Sequence, residues 1–380
     1  MIATWLEASR WTYNLTVEIL RSGIPAAWRH IAGMVMPELN LLHPEWDDVP
    51  YQVKRTSVRD ACRAMSNVKR HNRELAADRA QGERLGEEFA ELHFRSRKNP
   101  RQSCYIPDDA VTEHGVYHTI LGPLRMAEAV PAGQKKCRLV KERGLYWLVV
   151  PHPAQCDIET PSGDGVVALD PGVRTFLTYF SETDCGKIGH RAFGRIQRLC
   201  HHLDDLISRT DTEPNHQRRR RMRHAQARLR QRIINLVDEL HWQVARWLTS
   251  TYKVILLPTF ETQDMTVRAG RKIRSKTARM MLSFRHYEFK RRLRWKAWQR
   301  GALVIDVNEA YTSRTRSWDG TVDARLGGAR VIRDRSGFGM DRDVNGARGI
   351  FLRALGDSPF LRGLTTQVAS QPTLALSNVG

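Results

Sequence analysis

The stretch VVALDPGVRTF, residues 166–176, decides how the rest of the chain is read. Four apolar residues, Val166 to Leu169, run straight into Asp170, and Pro171-Gly172 turns the chain at once. An apolar run closed by a turn signal predicts a buried strand, and residues 166–181 as a whole predict a β-hairpin. Aspartate is common at strand ends and in turns, where it bonds nearby backbone. Asp170 alone therefore leaves two readings open, a turn acid or a catalytic acid. Two further apolar runs behave alike. YKVILLP (252–258) is followed three residues on by Glu261, and GALVIDVNEAYTS (301–313) ends near Glu309. DRDVNGARGIFLRAL (341–355) predicts a helix with Asp341 and Asp343 in its first turn, where the helix dipole favours acids.

The composition narrows the partners. The chain of 380 residues carries 61 Lys and Arg against 41 Asp and Glu, a net charge of +20. Such an excess points to a polyanion, nucleic acid before an acidic membrane. Hydrophobic residues at 41% exclude global disorder. No apolar run approaches the roughly 18 residues that would span a bilayer. The start, MIATWLEASRW, lacks the pattern of a secretory signal. Six cysteines without CxxC spacing read as reduced thiols of a cytoplasmic protein.

Along the chain, residues 1–91 read as a helical domain and 92–165 as short strands of a small β-barrel. The barrel strands carry Arg95, Arg97, Lys98 and Arg101 beside aromatics. Residues 166–310 alternate strands with basic helices, the main insertion covering about 194–250. Its segment NHQRRRRMRHAQARLRQR holds eight arginines and no acid. The α+β multi-domain pattern places Asp170, Glu261, Glu309 and Asp343 at strand ends and a helix start. Sheets of this kind gather ligands at one edge. Acids crowded there repel unless they share divalent cations, and carboxylate oxygens suit Mg²⁺. Two such ions hydrolyse phosphodiesters.

ALDPGVRTF, ILLPTFETQDM, NEAYTSRT and DRDVNGARGI, in that order, resemble the split RuvC nuclease motifs of the TnpB family. These are transposon-encoded RNA-guided DNA endonucleases related to Fanzor proteins and type V CRISPR effectors. RSRKNPRQSCYIP resembles the family's wedge strands and RWTYN the start of its recognition helices. The resemblance implies a helical recognition domain, a wedge barrel and an RNase H-like (RuvC) core. It also implies a guide RNA, double- and single-stranded target DNA, two Mg²⁺ ions and a bacterial, nucleoid-associated protein, taken here as a monomer. Asp170 matches the first catalytic acid and Asp343 the last. Pro258 stands where many relatives carry the middle glutamate. This resembles the branch with a relocated glutamate, which makes Glu309 the middle acid and Glu261 the competing candidate. Phosphate grips are expected at Lys54, Arg55, Lys69, Arg70, Arg218, Arg219, Arg220, Arg221, Arg271, Lys272, Arg291 and Arg292, with Arg95, Arg97, Lys98 and Arg101 facing guide RNA or the adjacent DNA motif.

The chain departs from the family pattern in two places. In residues 311–340, Arg316, Asp319, Arg333 and Ser336 stand where relatives carry four zinc-binding cysteines. Arginine cannot ligate zinc, so no zinc is expected and the insert must pack by itself or move. Family members also open with a strand that completes the barrel, whereas this sequence begins almost at the helices, so either the start is misassigned or the barrel lacks a strand and exposes an edge. Residues 341–357 form the last RuvC motif and helix, and 358–380 a loose tail. Two rival functions follow, a guide-loaded DNA-binding repressor that cuts weakly or not at all, and a guide-free RNase H-fold nuclease or transposase.

Overall fold

The computed structural model describes the chain apart from residues 85, 131–135, 155, 157–162, 173–174, 260–274, 308–314, 323–329, 359–360, 362–375 and 380. It divides into two compact units, Met1–Pro153 and Ala154–Gly380. Among the described residues no helix is long and apolar enough to cross a membrane.

The first unit opens with α1 (Ile2–Arg21), α2 (Trp28–Leu42) and α3 (Tyr51–Ala80). On α1 the buried set Trp5, Ala8, Thr12, Tyr13, Thr16, Val17 and Leu20 recurs at helical spacing. The two threonines satisfy their hydroxyls inside this face by donating to carbonyls one turn back, at 2.8 and 2.7 Å. Ser9 and Ser57 meet across α1 and α3 at 2.8 Å. The strands that follow are β1 (Arg101–Ile106), the short pair β2 (Val111–Thr112) and β3 (Gly115–Val116), a single turn α4 (His118–Leu121), β4 (Cys137–Glu142) and β5 (Leu145–Val149). Trp5, Leu39, Trp46 and Val53 of the helical segment share one core with Cys104, Ile106, Cys137 and Leu139 of the strands. The sequence predicts a barrel here. The described strands form an open antiparallel sheet, β1-β4-β5, and a separate β2-β3 pair. The two-residue strands are too short to bridge the sheet edges. β5 forms one such edge with Leu145, Tyr146, Trp147 and Val149 exposed.

The second unit is built on one mixed sheet. Its strands are β6 (Val166–Pro171), β7 (Leu177–Ser181), β8 (Cys185–Ile188), β9 (Val254–Pro258) and β10 (Leu303–Val307), ordered β10-β9-β6-β7-β8, with β13 (Leu376–Val379) added beside β8. The tail reading did not foresee that last strand. β6, β7 and β8 run antiparallel, while β9 and β10 run parallel to β6. Helices α5 (His190–Thr212), α6 (His216–Thr251), α7 (Ser275–Phe284) and α8 (His286–Arg300) connect the strands. A hairpin of β11 (Val331–Arg333) and β12 (Gly339–Asp341) leads into α9 (Arg342–Asp357). Side chains alternate along the strands. Val167 and Leu169 face α5, α6 and α8, packing with Val237, Leu248, Phe289 and Leu293. Val166 and Ala168 face α9, packing with Val344, Ala347, Ile350 and Phe351.

Two histidines lie inside the first of these layers. Phe176 stacks on both His241 and His286, at 5.3 and 5.2 Å between centroids. His241 Nε2 lies 2.8 Å from the Phe284 carbonyl, so the neutral ring donates there. Burial pushes both imidazoles from an ordinary 6.5 down to about 4. The unfolded chain takes up these protons near pH 6.5 and the folded chain only near 4. Stability is therefore full above pH 6.5 and declines as the pH falls toward 4. Urea unfolding should show a loss of about 3–4 kcal/mol between about pH 7 and about pH 5, about 2 kcal/mol for each imidazole. The fall should be shallower in His241→Gln, whose amide can still donate to the Phe284 carbonyl.

Candidate active site and nucleic-acid interface

Asp170 shares the parity of Val166 and Ala168 and so belongs to the sheet face that α9 covers. It pairs in register with Thr178 on β7, and Thr178 pairs with Lys187 on β8. A row Asp170, Thr178, Lys187 thus crosses three strands under the start of α9. At one end of the row, a β-carbon built on Gly346 would lie 2.6 Å from Asp170 Oδ2. At the other end, Lys187 Nζ lies 2.7 Å from Asp341 Oδ2 and 3.4 Å from Asp343 Oδ2.

The two acids of DRD have different work. Asp341 caps α9, its Oδ1 accepting from the backbone N–H groups of Asp343 and Val344 at 3.0 and 3.4 Å. Its second oxygen takes the Lys187 ammonium. Asp343, one residue inside the helix, keeps a side chain 50% exposed. The structure brings Asp170 and Asp343 to one end of α9 and gives Asp341 the work of the cap. Glu309, Glu261, Arg271 and Lys272 lie outside the described residues. Their strands end together, since Val307 and Pro258 are paired in register. Asp170 and Asp343 offer the hard oxygen donors that Mg²⁺ takes. Among the described residues no group of three acids or other ligands gathers, so a metal set would need a donor from beyond them.

Sequence reading missed Lys187 and Gly346. CGKI is too short a strand to show which face its lysine takes. Nothing in the order of residues announces that Gly346 must touch Asp170.

The motif asparagine also has an assigned task. Asn345, fully buried, accepts from Ser317 N at 2.8 Å and donates to the Thr315 carbonyl at 2.9 Å. Arg348 adds a 3.2 Å bond to Ser317 Oγ. These bonds moor the insert to α9. Within the insert, Asp334 accepts from Trp318 Nε1 at 3.0 Å, from Ser336 Oγ at 2.6 Å, and from the backbone N–H of Ser336 and Phe338 at 2.9 and 3.0 Å. The Ser336 bond, with the others, holds its carboxyl below the usual range. Trp318 meets Phe338 edge-on at 5.2 Å, and Arg316 pairs with Asp319 at 3.2 Å. Arg333 donates to the Gly337 carbonyl at 3.4 Å, so all four residues in the cysteine positions, Arg316, Asp319, Arg333 and Ser336, are engaged within the insert.

The expected phosphate grips sort into two kinds. Lys69, Arg70, Arg97, Lys98, Arg101, Arg218, Arg220 and Arg221 are exposed. Arg219 donates to the Pro214 carbonyl at 3.3 Å. Lys54 is a correction. It is buried, and its ammonium donates to the Trp46 carbonyl at 3.0 Å, with burial lowering its pKa. Arg95 is turned to structural use, lying 3.8 Å over the Tyr13 ring and 3.5 Å from Asp60. Arg55 lies 4.9 Å over Trp28. Arg292 is held by Asp238 at 2.7 Å, whereas Arg291 is exposed beside Glu288.

Two substitutions test this geometry. Alanine for glycine inside a helix normally stabilises by about 1 kcal/mol. Gly346→Ala should instead destabilise by about 1–3 kcal/mol in urea unfolding, because the added methyl displaces Asp170 or α9. Lys187→Met leaves two carboxylates without their shared ammonium and should cost about 2 kcal/mol in the same measurement.

Residues 286–350, from α8 into α9, match a family model described as Cas12f1-like, TNB domain. A protein of Paramecium bursaria Chlorella virus 1 named as a transposase is 30% identical over 66% of this chain and 58% of its own length. A TnpB-like protein of Acanthamoeba polyphaga mimivirus is 26% identical over 48% of this chain and 36% of its own length. InsQ of Escherichia coli (strain K12), named as an RNA-guided DNA endonuclease, is 23% identical over 84% of this chain and 79% of its own length. The chain thus spans well under two thirds of the two viral relatives.

Proposed function

From a chain that belongs to the TnpB family, we propose an RNA-guided DNA endonuclease of a transposon that cuts guide-matched DNA beside a short adjacent motif. The observation that carries this reading is the meeting of Asp170 and the α9 start on one face of a mixed sheet. That arrangement supports the RNase H-like (RuvC) core implied by the sequence motifs, with residues 1–91 as recognition domain and 92–165 as wedge. In this reading Asp170, Asp343 and Glu309, or Glu261 in its place, hold Mg²⁺. When bound, the metal activates water and stabilises the leaving oxygen of a phosphodiester.

The chain's own residues do the rest. Lys187 and the Asp341 cap fix the first turn of α9, so that Asp343 is aimed before substrate arrives. The positive end of α9 favours the anionic site. Exposed arginines of α6 and the β1 approach grip phosphates, while base pairing to the guide supplies sequence choice. The protein acts on nucleic acid in the bacterial cytoplasm.

Plasmid cleavage with Mg²⁺ tests the proposal, using protein co-expressed with its downstream flanking DNA so that a guide can load. Asp170→Ala and Asp343→Ala should each lower cleavage by about 10²–10³-fold. Glu309→Ala should match them and Glu261→Ala should cut normally. Guide-dependent binding without cutting by the unaltered chain would replace this reading with that of a repressor. Cutting that needs no guide would replace it with a guide-free nuclease.

A further inference from the structure

Helix α8 carries aromatic side chains on both sides. Its core side buries His286, Phe289, Leu293 and Ala297. The opposite side, at intervals of three and four residues, presents Tyr287, Arg291, Arg294, Trp295 and Trp298. Tyr287 is 69%, Trp295 44% and Trp298 47% exposed. The two indoles lie against each other, with centroids 5.2 Å apart and planes 30° apart. From Tyr287 to Trp298 the stripe runs about 16 Å at the rise of an α-helix.

Large aromatics held in water on an ordered helix are an unmet burial. The charge of the helix says what would meet it. Lys290, Arg291, Arg292, Arg294, Lys296 and Arg300 stand against Glu288 as its one acid. A second copy of this chain would bring the same excess of positive charge to the face. A polyanion is complementary. Arg291 and Arg294 each touch a carboxylate, Glu288 at 3.4 Å and Asp306 at 2.8 Å. A guanidinium has five donors, so both retain donors for phosphate. Bases within a duplex are already stacked, so open aromatic rings suit a single strand.

We propose that the outer stripe of α8 is a stacking platform for single-stranded nucleic acid. Bases lie on the rings of Trp295, Trp298 and Tyr287, and phosphates meet Arg291 and Arg294. The inference rests on the nucleic-acid function proposed above and adds to it a surface away from the Asp170 and Asp343 face, since α8 packs on the opposite layer of the sheet.

Fluorescence anisotropy of the full-length protein with labelled oligo-dT, oligo-U and a base-free phosphate backbone tests it. Trp295→Ala/Trp298→Ala should weaken binding of one or both base-bearing strands about tenfold and leave the base-free strand unaffected. The salt dependence should stay as in the unaltered protein, because no phosphate contact is removed. Trp295→Phe/Trp298→Phe should retain most of the affinity. The larger loss identifies DNA or RNA as the occupant. Unchanged affinity of the alanine variant for both base-bearing strands, in a protein that melts as the unaltered one does, overturns the proposal. So does a dimer in sedimentation that the alanine variant dissolves without loss of strand binding. An unaltered protein that binds none of the three probes overturns the proposed function as well, which separates the two failures.

Discussion

The Lys187 ammonium between Asp341 and Asp343 is the contact on which the candidate site depends. Its bond to Asp341 ties the first turn of α9 to β8, with both of those groups largely withdrawn from water, while Asp343 stays half exposed. Asp341 does two things at once, one oxygen accepting the helix-cap bonds and the other taking the ammonium. With the turn tied at β8, the helix crosses the sheet toward β6, and Gly346 comes down on Asp170. Any side chain larger than hydrogen at that position would stand the helix off. A cap, a lysine and a missing β-carbon therefore place two distant acids together, without a direct bond between them being required.

Much of the second unit was legible in the order of residues. The strands at 166–171, 254–258 and 303–307 are short apolar runs closed by Pro, Gly or acidic turns, and all three formed. The acids at their ends stood out because carboxylates are expensive beside such runs. What was not legible depends on register and facing. Lys187 enters the site through cross-strand pairing with Thr178. Asn345 reads as part of a motif, whereas its work is to moor a loop. Lys54 reads as a basic helix residue, yet a turn of the chain at Trp46 offers it a buried carbonyl. The sheet at 101–149 has strand-like alternation, but alternation does not say whether the edges close.

The positive charge is not one uniform coat. Some of it is structural. Arg95 braces Tyr13 and Asp60, Arg138 also grips Asp60, and Arg285 and Arg292 share Asp238. Guanidinium suits this because its planar fork can stack and pair at once. The rest, on α6 and before β1, stands in solvent with few acids near it. Counting basic residues along the sequence overstates the interface, since partnered arginines are already neutralised where they sit.

The placement of α9 has a consequence for synthesis. Asp170 emerges from the ribosome with a strand that can begin to fold, whereas Asp343 and Gly346 follow more than 170 residues later. Translation that stops before residue 341 yields a chain with its basic helices and with Asp170, Glu261 and Glu309, but without the helix that brings Asp343. Such a fragment has no α9 to lay Gly346 against Asp170, so order of synthesis keeps the site unmade until that helix has been added.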